Sequence, residues 1–163
     1  MKKQVIILNG GGGVGKDTLI EFAAKTYKII NVSSIDPIKE IASAGGWQGE
    51  KDEKGRKLLI AIKAAFVAYN DLPFRHCIDE YLKFLESDNQ FMFVHIREPQ
   101  EIEKFRAVTG AKTILITRKD QKVWGNAIDD ECAKCKYDLH FDNSDVLEVS
   151  GARFVKLLDK FLH

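Results

Sequence analysis

The residues richest in chemistry lie near the start of the chain. Asn9 is followed by Gly10, Gly11, Gly12, Gly13, Val14, Gly15, Lys16, Asp17 and Thr18, so that Gly10, Gly15 and Lys16 satisfy G-x-x-x-x-G-K. Glycines lack a Cβ, which lets backbone N–H groups turn inward and approach a phosphate. A helix beginning just after them adds a partial positive charge. Lys16 adds a full one for the outer phosphates. The ligand implied is a nucleoside triphosphate. Gly10, Gly12 and Gly15 also satisfy the dinucleotide pattern G-x-G-x-x-G, but Lys16 favours the triphosphate, and only Asp36 stands near the place of a ribose ligand.

Asp17 occupies the place of the usual Mg2+-binding hydroxyl, with Thr18 one residue further. One helical residue is about 100° of rotation, so Thr18 does not simply replace it. Two readings stand: Asp17 binds a metal-held water, or it is a carboxylate favoured by the helix dipole. Further along, Asp36, Arg97, Arg118 and Asn143 each follow an apolar run. Trp47 and Trp124 are able to stack on a substrate ring, although buried or partly buried aromatics are commoner. Cys132 and Cys135 form C-x-x-C; a closed zinc centre needs four ligands, and free thiols on a helical turn are the other reading.

These side chains need elements to carry them. Residues 4–9 read as a buried β-branched strand closed by glycine. Residues 16–27 place Leu19, Ile20, Phe22, Ala23 and Tyr27 at helical spacing. A second strand is predicted over 28–35. Asp36 as N-cap and Pro37 at the first helical position then open a helix that stops at Gly45 and Gly46. Longer helices are predicted from about 52 to 70 and from 72 to 87, a strand over 90–96, a helix over 98–110 and a strand over 112–117. A polar stretch, a weak strand over 137–141 and a closing amphipathic helix over 151–163 complete the chain.

Strands apolar throughout, alternating with helices, predict a mostly parallel sheet covered on both faces, a three-layer α/β/α domain. Ligands of such sheets bind beyond the carboxyl ends of the strands. The glycines, Asp36, Arg97, Arg118 and Asn143 all fall at strand ends, which predicts one binding crevice. The length of 163 residues suits a single domain. A net charge of +1, from 25 Lys+Arg against 24 Asp+Glu, argues against a nucleic-acid or membrane-surface partner. No run approaches the roughly 18 apolar residues of a membrane span. The basic start and short apolar run resemble a signal peptide superficially, but the glycines interrupt it and a buried strand is the better reading. Three cysteines fit a reducing cytoplasm.

The residues GKDT at 15–18 resemble the phosphate loop of phage-type deoxynucleoside monophosphate kinases and animal-type phosphomevalonate kinases, and are similar to the GKGT of adenylate kinases. The DPIK at 36–39 extends the resemblance, as does VHIREPQE at 94–101 to the phage stretch D-V-R-F-P-N-E. Arg97 and Glu101 match there; the preceding aspartate does not, being His95 or Ile96. The resemblance implies a P-loop kinase fold, a five-stranded sheet of order 2-3-1-4-5, an acceptor-binding helical region at about 36–88 and a short lid at about 118–136. It implies ATP on Gly10 to Thr18 with Asn143 near the base, and Mg2+ held through water by Asp17 and Thr18. Asp36 would face the transferred phosphoryl group as general base or metal-water ligand, Lys39, Arg56, Arg97 and Glu101 would bind the acceptor, and Arg118 would be a lid cation. Helix capping and solvated surface positions explain Asp36, Lys39 and Arg56 about as well. The histidine-containing lid motif of the phage enzymes is absent.

The expectation is an ATP-dependent phosphotransferase acting on a phosphorylated small molecule, first a (deoxy)nucleoside monophosphate, second a phosphomevalonate-type substrate. A regulatory nucleotide-binding NTPase is a third reading; the guanine-reading N-K-x-D is absent. Oligomeric state is left open.

Overall fold

Val5 and Ile7 project from one face of β1 (Gln4–Asn9), Ile6 and Leu8 from the other, and all four are buried. That is why the strand is apolar without alternation: both faces are covered. The structure is a computed structural model that describes residues 2–120 and 134–163. β1 pairs in parallel with β3 (Phe91–His95) and β4 (Lys112–Thr117), with Ile6 opposite Phe93 and Leu8 opposite Ile114. β2 (Ile29–Ser33) lies outside β3 and β5 (Leu139–Asp142) outside β4, both parallel, giving the order 2-3-1-4-5.

Two cores result. On one face Leu19, Ile20 and Ala23 of α1 (Lys16–Ala23) and Phe154 and Leu158 of α6 (Leu147–Leu162) pack on Ile6, Leu8, Phe91 and Phe93. α1 and α6 approach closely: a Cβ on Gly151 would lie 2.6 Å from the Phe22 ring. On the other face Cys77 and Phe84 of α4 (Leu72–Glu86) and Ile102 and Phe105 of α5 (Pro99–Thr109) cover Val5, Ile7, Met92 and Val94. Truncating Phe93, fully buried in the core on the α1 and α6 face, would cost about 3–5 kcal/mol.

α2 (Asp36–Ala44) and α3 (Glu53–Asn70) stand beyond the strand ends. α3 opens as expected, with Asp52 as N-cap accepting from the Gly55 N–H at 2.7 Å. Gly55 is its buried residue. α1 stops four residues short of the predicted end, where the N–H groups of Lys25 and Thr26 tighten to the i−3 carbonyls of Phe22 and Ala23. Tyr27 then meets Phe91 edge-on at 5.0 Å and donates its hydroxyl proton to Asp159.

Most of the segment predicted as a lid, including Trp124 and Cys132, lies outside the described residues. Cys77 is an inert core thiol, pushed up to about 12 by burial and then by Asp36. Among the described residues no cluster of three or more His, Cys, Asp and Glu is placed to hold a metal. None of their helices is long and apolar enough to cross a membrane.

Candidate functional site

The glycine loop leaves the end of β1 and closes on itself for stated geometric reasons. A Cβ on Gly10 would lie 2.6 Å from the Val14 side chain and 2.8 Å from the Ile116 carbonyl oxygen, so the loop lies directly against β4. Gly13 and Gly15 hold φ of 76° and 87°, which L side chains rarely adopt. Gly15 is the N-cap of α1, so the helix points its first N–H groups at the loop. Val14 is buried and anchors the loop in the core. Gly12 has open space where a Cβ would be, and Gly11, Gly12 and Gly13 line a crevice.

Asn143 supports this loop from below. It is buried just after β5, and its Nδ2 donates to the Val14 carbonyl at 2.7 Å. A Cβ on Gly15 would lie 2.6 Å from that same nitrogen. The sequence put Asn143 in the crevice; the structure puts it under the loop, outside the crevice lining. Lys16 reaches across the loop and its Nζ donates to the Gly10 carbonyl at 2.7 Å. Asp17 and Thr18 are exposed on the first turn of α1 and face the crevice.

The crevice is about 900 Å³ and opens beyond the carboxyl ends of β1, β2 and β3. Its far wall begins with Asp36 and Lys39 of α2. Asp36 is not the N-cap that the sequence suggested. Ile35 caps α2 without a side-chain bond, Asp36 is the first helical residue, and its carboxylate reaches back to accept from the Ser33 N–H at 2.8 Å. His76 Nε2 stands 3.7 Å from the same carboxylate. The connection 45–52 contributes Trp47, Glu50 and Lys51, and α3 contributes Arg56, Leu59 and Lys63 at i, i+3 and i+7 on one helix face. Arg97 and Glu98 close the wall after β3, where Glu98 is ion-paired with Lys63.

The floor carries polar groups without an earlier role. Asn9 is buried and donates to the Ile96 carbonyl at 2.9 Å and to the Tyr137 hydroxyl at 3.2 Å, which ties the ends of β1 and β3 together. His95 ends β3 with Nε2 at 2.6 Å from Asn31 Oδ1. Burial, and then the Lys16 charge, hold the His95 imidazole below its ordinary pKa, so it is neutral at pH 7.

The structure therefore brings Gly11 to Thr18, Asp36, Lys39, Arg56 and Arg97 into one crevice. Gly10 is buried and does not line it. Arg118 is exposed past β4 and is not part of the lining. Glu101 lines a separate cavity of about 20 Å³ with Cys77 and Lys63, where burial and then Asp71 raise its carboxyl pKa. Of the region 36–88, α2 and α3 reach the crevice, while Pro73, Phe74 and Cys77 of α4 line that smaller cavity. The sequence reading missed Asn9, the Asn31–His95 pair, Lys51 and the Lys63–Glu98 pair. The seven-residue spacing of Arg56 and Lys63 was the one signal available.

Neither a protein-family profile nor a curated protein sequence matches this chain. Solved structures do. The tunicamycin resistance protein of Deinococcus radiodurans superposes with a TM-score of 0.58 at 11% identity over 96% of each chain. TT1252 from Thermus thermophilus gives 0.56 at 15% identity over all of both chains. Shikimate kinase from Aquifex aeolicus gives 0.52 at 11% identity over 98% of this chain and 96% of its own. With the parallel order 2-3-1-4-5 and the glycine loop between β1 and α1, the chain has the P-loop kinase fold.

Proposed function

We propose that the chain is an ATP-dependent phosphotransferase that moves the γ-phosphoryl group to a small molecule already carrying a phosphate, a (deoxy)nucleoside monophosphate before any other. One observation carries the reading. One crevice is lined by a phosphate cradle, Gly11 to Lys16, on the β1–α1 connection and by the cations Lys39, Arg56 and Arg97 of α2, α3 and the segment after β3. A binding switch for a triphosphate alone has no need of the second set.

The loop fits a triphosphate: only glycine fits at Gly10 and Gly15, and the first N–H groups of α1 point at the bound charge. Asp17 and Thr18 offer hard oxygen donors on the crevice side, which suits Mg2+ held directly or through water. When bound, that ion neutralises charge on the β- and γ-phosphates. Lys16 shares the same task, and its ammonium exchanges the Gly10 carbonyl for phosphate oxygens.

An acceptor phosphate oxygen attacks the γ-phosphorus, the bond to the β-bridging oxygen breaks, and ADP leaves. A phosphomonoester is largely deprotonated at pH 7, since its second pKa is about 6. Asp36 therefore has no proton to remove from it and orients the attacking group; it would also be placed to hold a water of a bound metal ion. Arg97 grips the acceptor phosphate; a guanidinium can contact two oxygens at once. Lys39 and Arg56 add charge along α2 and α3. The segment 118–136 is proposed as the lid, with Arg118 its cation, excluding water as charge spreads over the transferred group.

ADP formation with a phosphomonoester and with its parent alcohol tests the reading. Turnover is expected with the phosphomonoester only. Equal turnover of the alcohol would contradict it.

A further inference from the structure

The connection between α2 and α3 holds an aromatic ring in the crevice by means that a solvent loop does not need. α2 ends with Gly46 at φ 101°, and the backbone N–H of Trp47 closes back onto the Ala42 carbonyl at 3.0 Å, a Schellman-type stop. The indole N–H of Trp47 then donates to the Glu50 carbonyl at 3.2 Å. The loop docks on α3 at Gly55, where a Cβ would lie 2.3 Å from the Glu50 oxygen and 2.9 Å from the indole nitrogen. Glycine has low helix propensity, and here the missing Cβ is what admits the indole and its loop. Trp47 is half-buried, and it lines the same crevice as Lys39, Arg56 and Arg97.

An indole whose N–H is already bonded has its π-face left to offer a ligand. A π-face in a phosphate-binding crevice recognises flat rings and does so with little regard to ring substituents. An aliphatic phosphomonoester gains nothing comparable from it.

We propose that Trp47 is the stacking platform for a planar heteroaromatic ring carried by the acceptor, so that the acceptor class is nucleoside monophosphates and not aliphatic phosphomonoesters. This rests on the phosphotransferase reading above. The ring sits on Trp47 and its phosphate on Arg97. Stacking of this kind tolerates several bases, so broad base acceptance is expected.

The chain has two tryptophans, so Trp124→Phe leaves Trp47 as the single indole reporter. In that background, Trp47 fluorescence is titrated with AMP, GMP, CMP, UMP and their deoxy forms, and with ribose 5-phosphate and glycerol 3-phosphate. Saturable quenching is expected from nucleotides and none from the sugar or glycerol phosphate. Acceptor kinetics are then compared in Trp47→Phe and Trp47→Leu, each relative to the reporter background, with thermal unfolding as the control for folding. Trp47→Phe should stay within a few-fold, because the ring is kept. Trp47→Leu should raise the nucleotide KM by roughly 5- to 150-fold with kcat nearly unchanged and the ATP KM unmoved. Nucleotide turnover without quenching, and with the same KM in Trp47→Leu, overturns the proposal and leaves the phosphotransferase reading standing. Preferred turnover of glycerol 3-phosphate or phosphomevalonate does the same. Quenching by nucleotides with no phosphomonoester turned over supports the platform and contradicts the phosphotransferase reading. Neither quenching nor turnover overturns both.

Discussion

Two parts of the crevice are built from different materials. The proposed donor part is backbone: Gly10 and Gly15 where a Cβ would collide, one carbonyl held by Asn143, and helix N–H groups aimed by the Gly15 cap. The proposed acceptor part is side chain: Lys39, Arg56 and Arg97, carried on three separate segments, with Trp47 on a docked loop. A backbone cradle reads phosphate, which all triphosphates share. Side chains on separate segments can change one at a time, and on the proposed function they would read what differs between acceptors. Within one fold, then, the backbone half would set the reaction and the side-chain half the substrate.

Substitutions can separate the halves. Lys16→Ala should lower kcat by about 10²- to 10³-fold, the size of losing one preorganised charge contact. It should also weaken ATP while the melting temperature moves by no more than about 2 °C, since the lysine's bond is to its own loop. Unchanged turnover and ATP affinity would remove the donor assignment. Arg97→Ala should lower acceptor kcat/KM by roughly 30- to 1000-fold, or about 2–4 kcal/mol, and leave ATP affinity alone. Arg97→Lys should recover little, as a point charge does not reproduce the fork. If ATP and acceptor affinities fall together, the two ends are not independent.

Asn143→Asp turns an oxygen toward the Val14 carbonyl in place of the N–H donor. Stability should fall by about 1–3 kcal/mol, with weaker ATP and an unaffected acceptor. A raised ATP KM at unchanged stability would make Asn143 a ligand contact instead of a clamp. The smallest effect concerns His95. Its folded pKa lies below the ordinary value near 6.5, so the unfolded chain takes up the proton first as pH falls. Its contribution is present above about pH 6.5 and is lost as pH falls through the folded value. His95→Gln should flatten the acid side of the stability profile by at most about 1.4 kcal/mol per pH unit, the limit for one proton. A profile unchanged in urea melts between pH 5 and 7 would mean that His95 titrates normally.

How much of this could be read in the sequence follows the same division. The cradle is contiguous, so Gly10, Gly15 and Lys16 announce it at fixed spacing. The strands announce the sheet because cover on both faces removes alternation from β1 and β3. The far wall is assembled from distant segments and depends on how α3 is turned. That helix carries Leu58, Ile60 and Val67 exposed as well as Leu59 facing the crevice, so its apolar pattern did not say which side looks inward. Asp36 had the composition of a cap, but the Ser33 N–H lies within its reach and the carboxylate turned backward. Asn143 and Arg118 sit at strand ends as expected, yet β4 and β5 end beside and below the loop, away from the crevice opening. A pinned Trp47 requires knowing that Gly55 faces it, a contact no local pattern encodes.

On the proposed function, one crevice joins a triphosphate donor to a phosphate-bearing acceptor. Following the label from γ-labelled ATP tests it most directly, with the wild-type chain, Mg2+ and a panel of nucleoside monophosphates, aliphatic phosphomonoesters and their alcohols. Label is expected in a diphosphate product at a rate that saturates with the phosphomonoester, with little released as inorganic phosphate. Label that appears only as inorganic phosphate, at the same slow rate with and without acceptor, would contradict it.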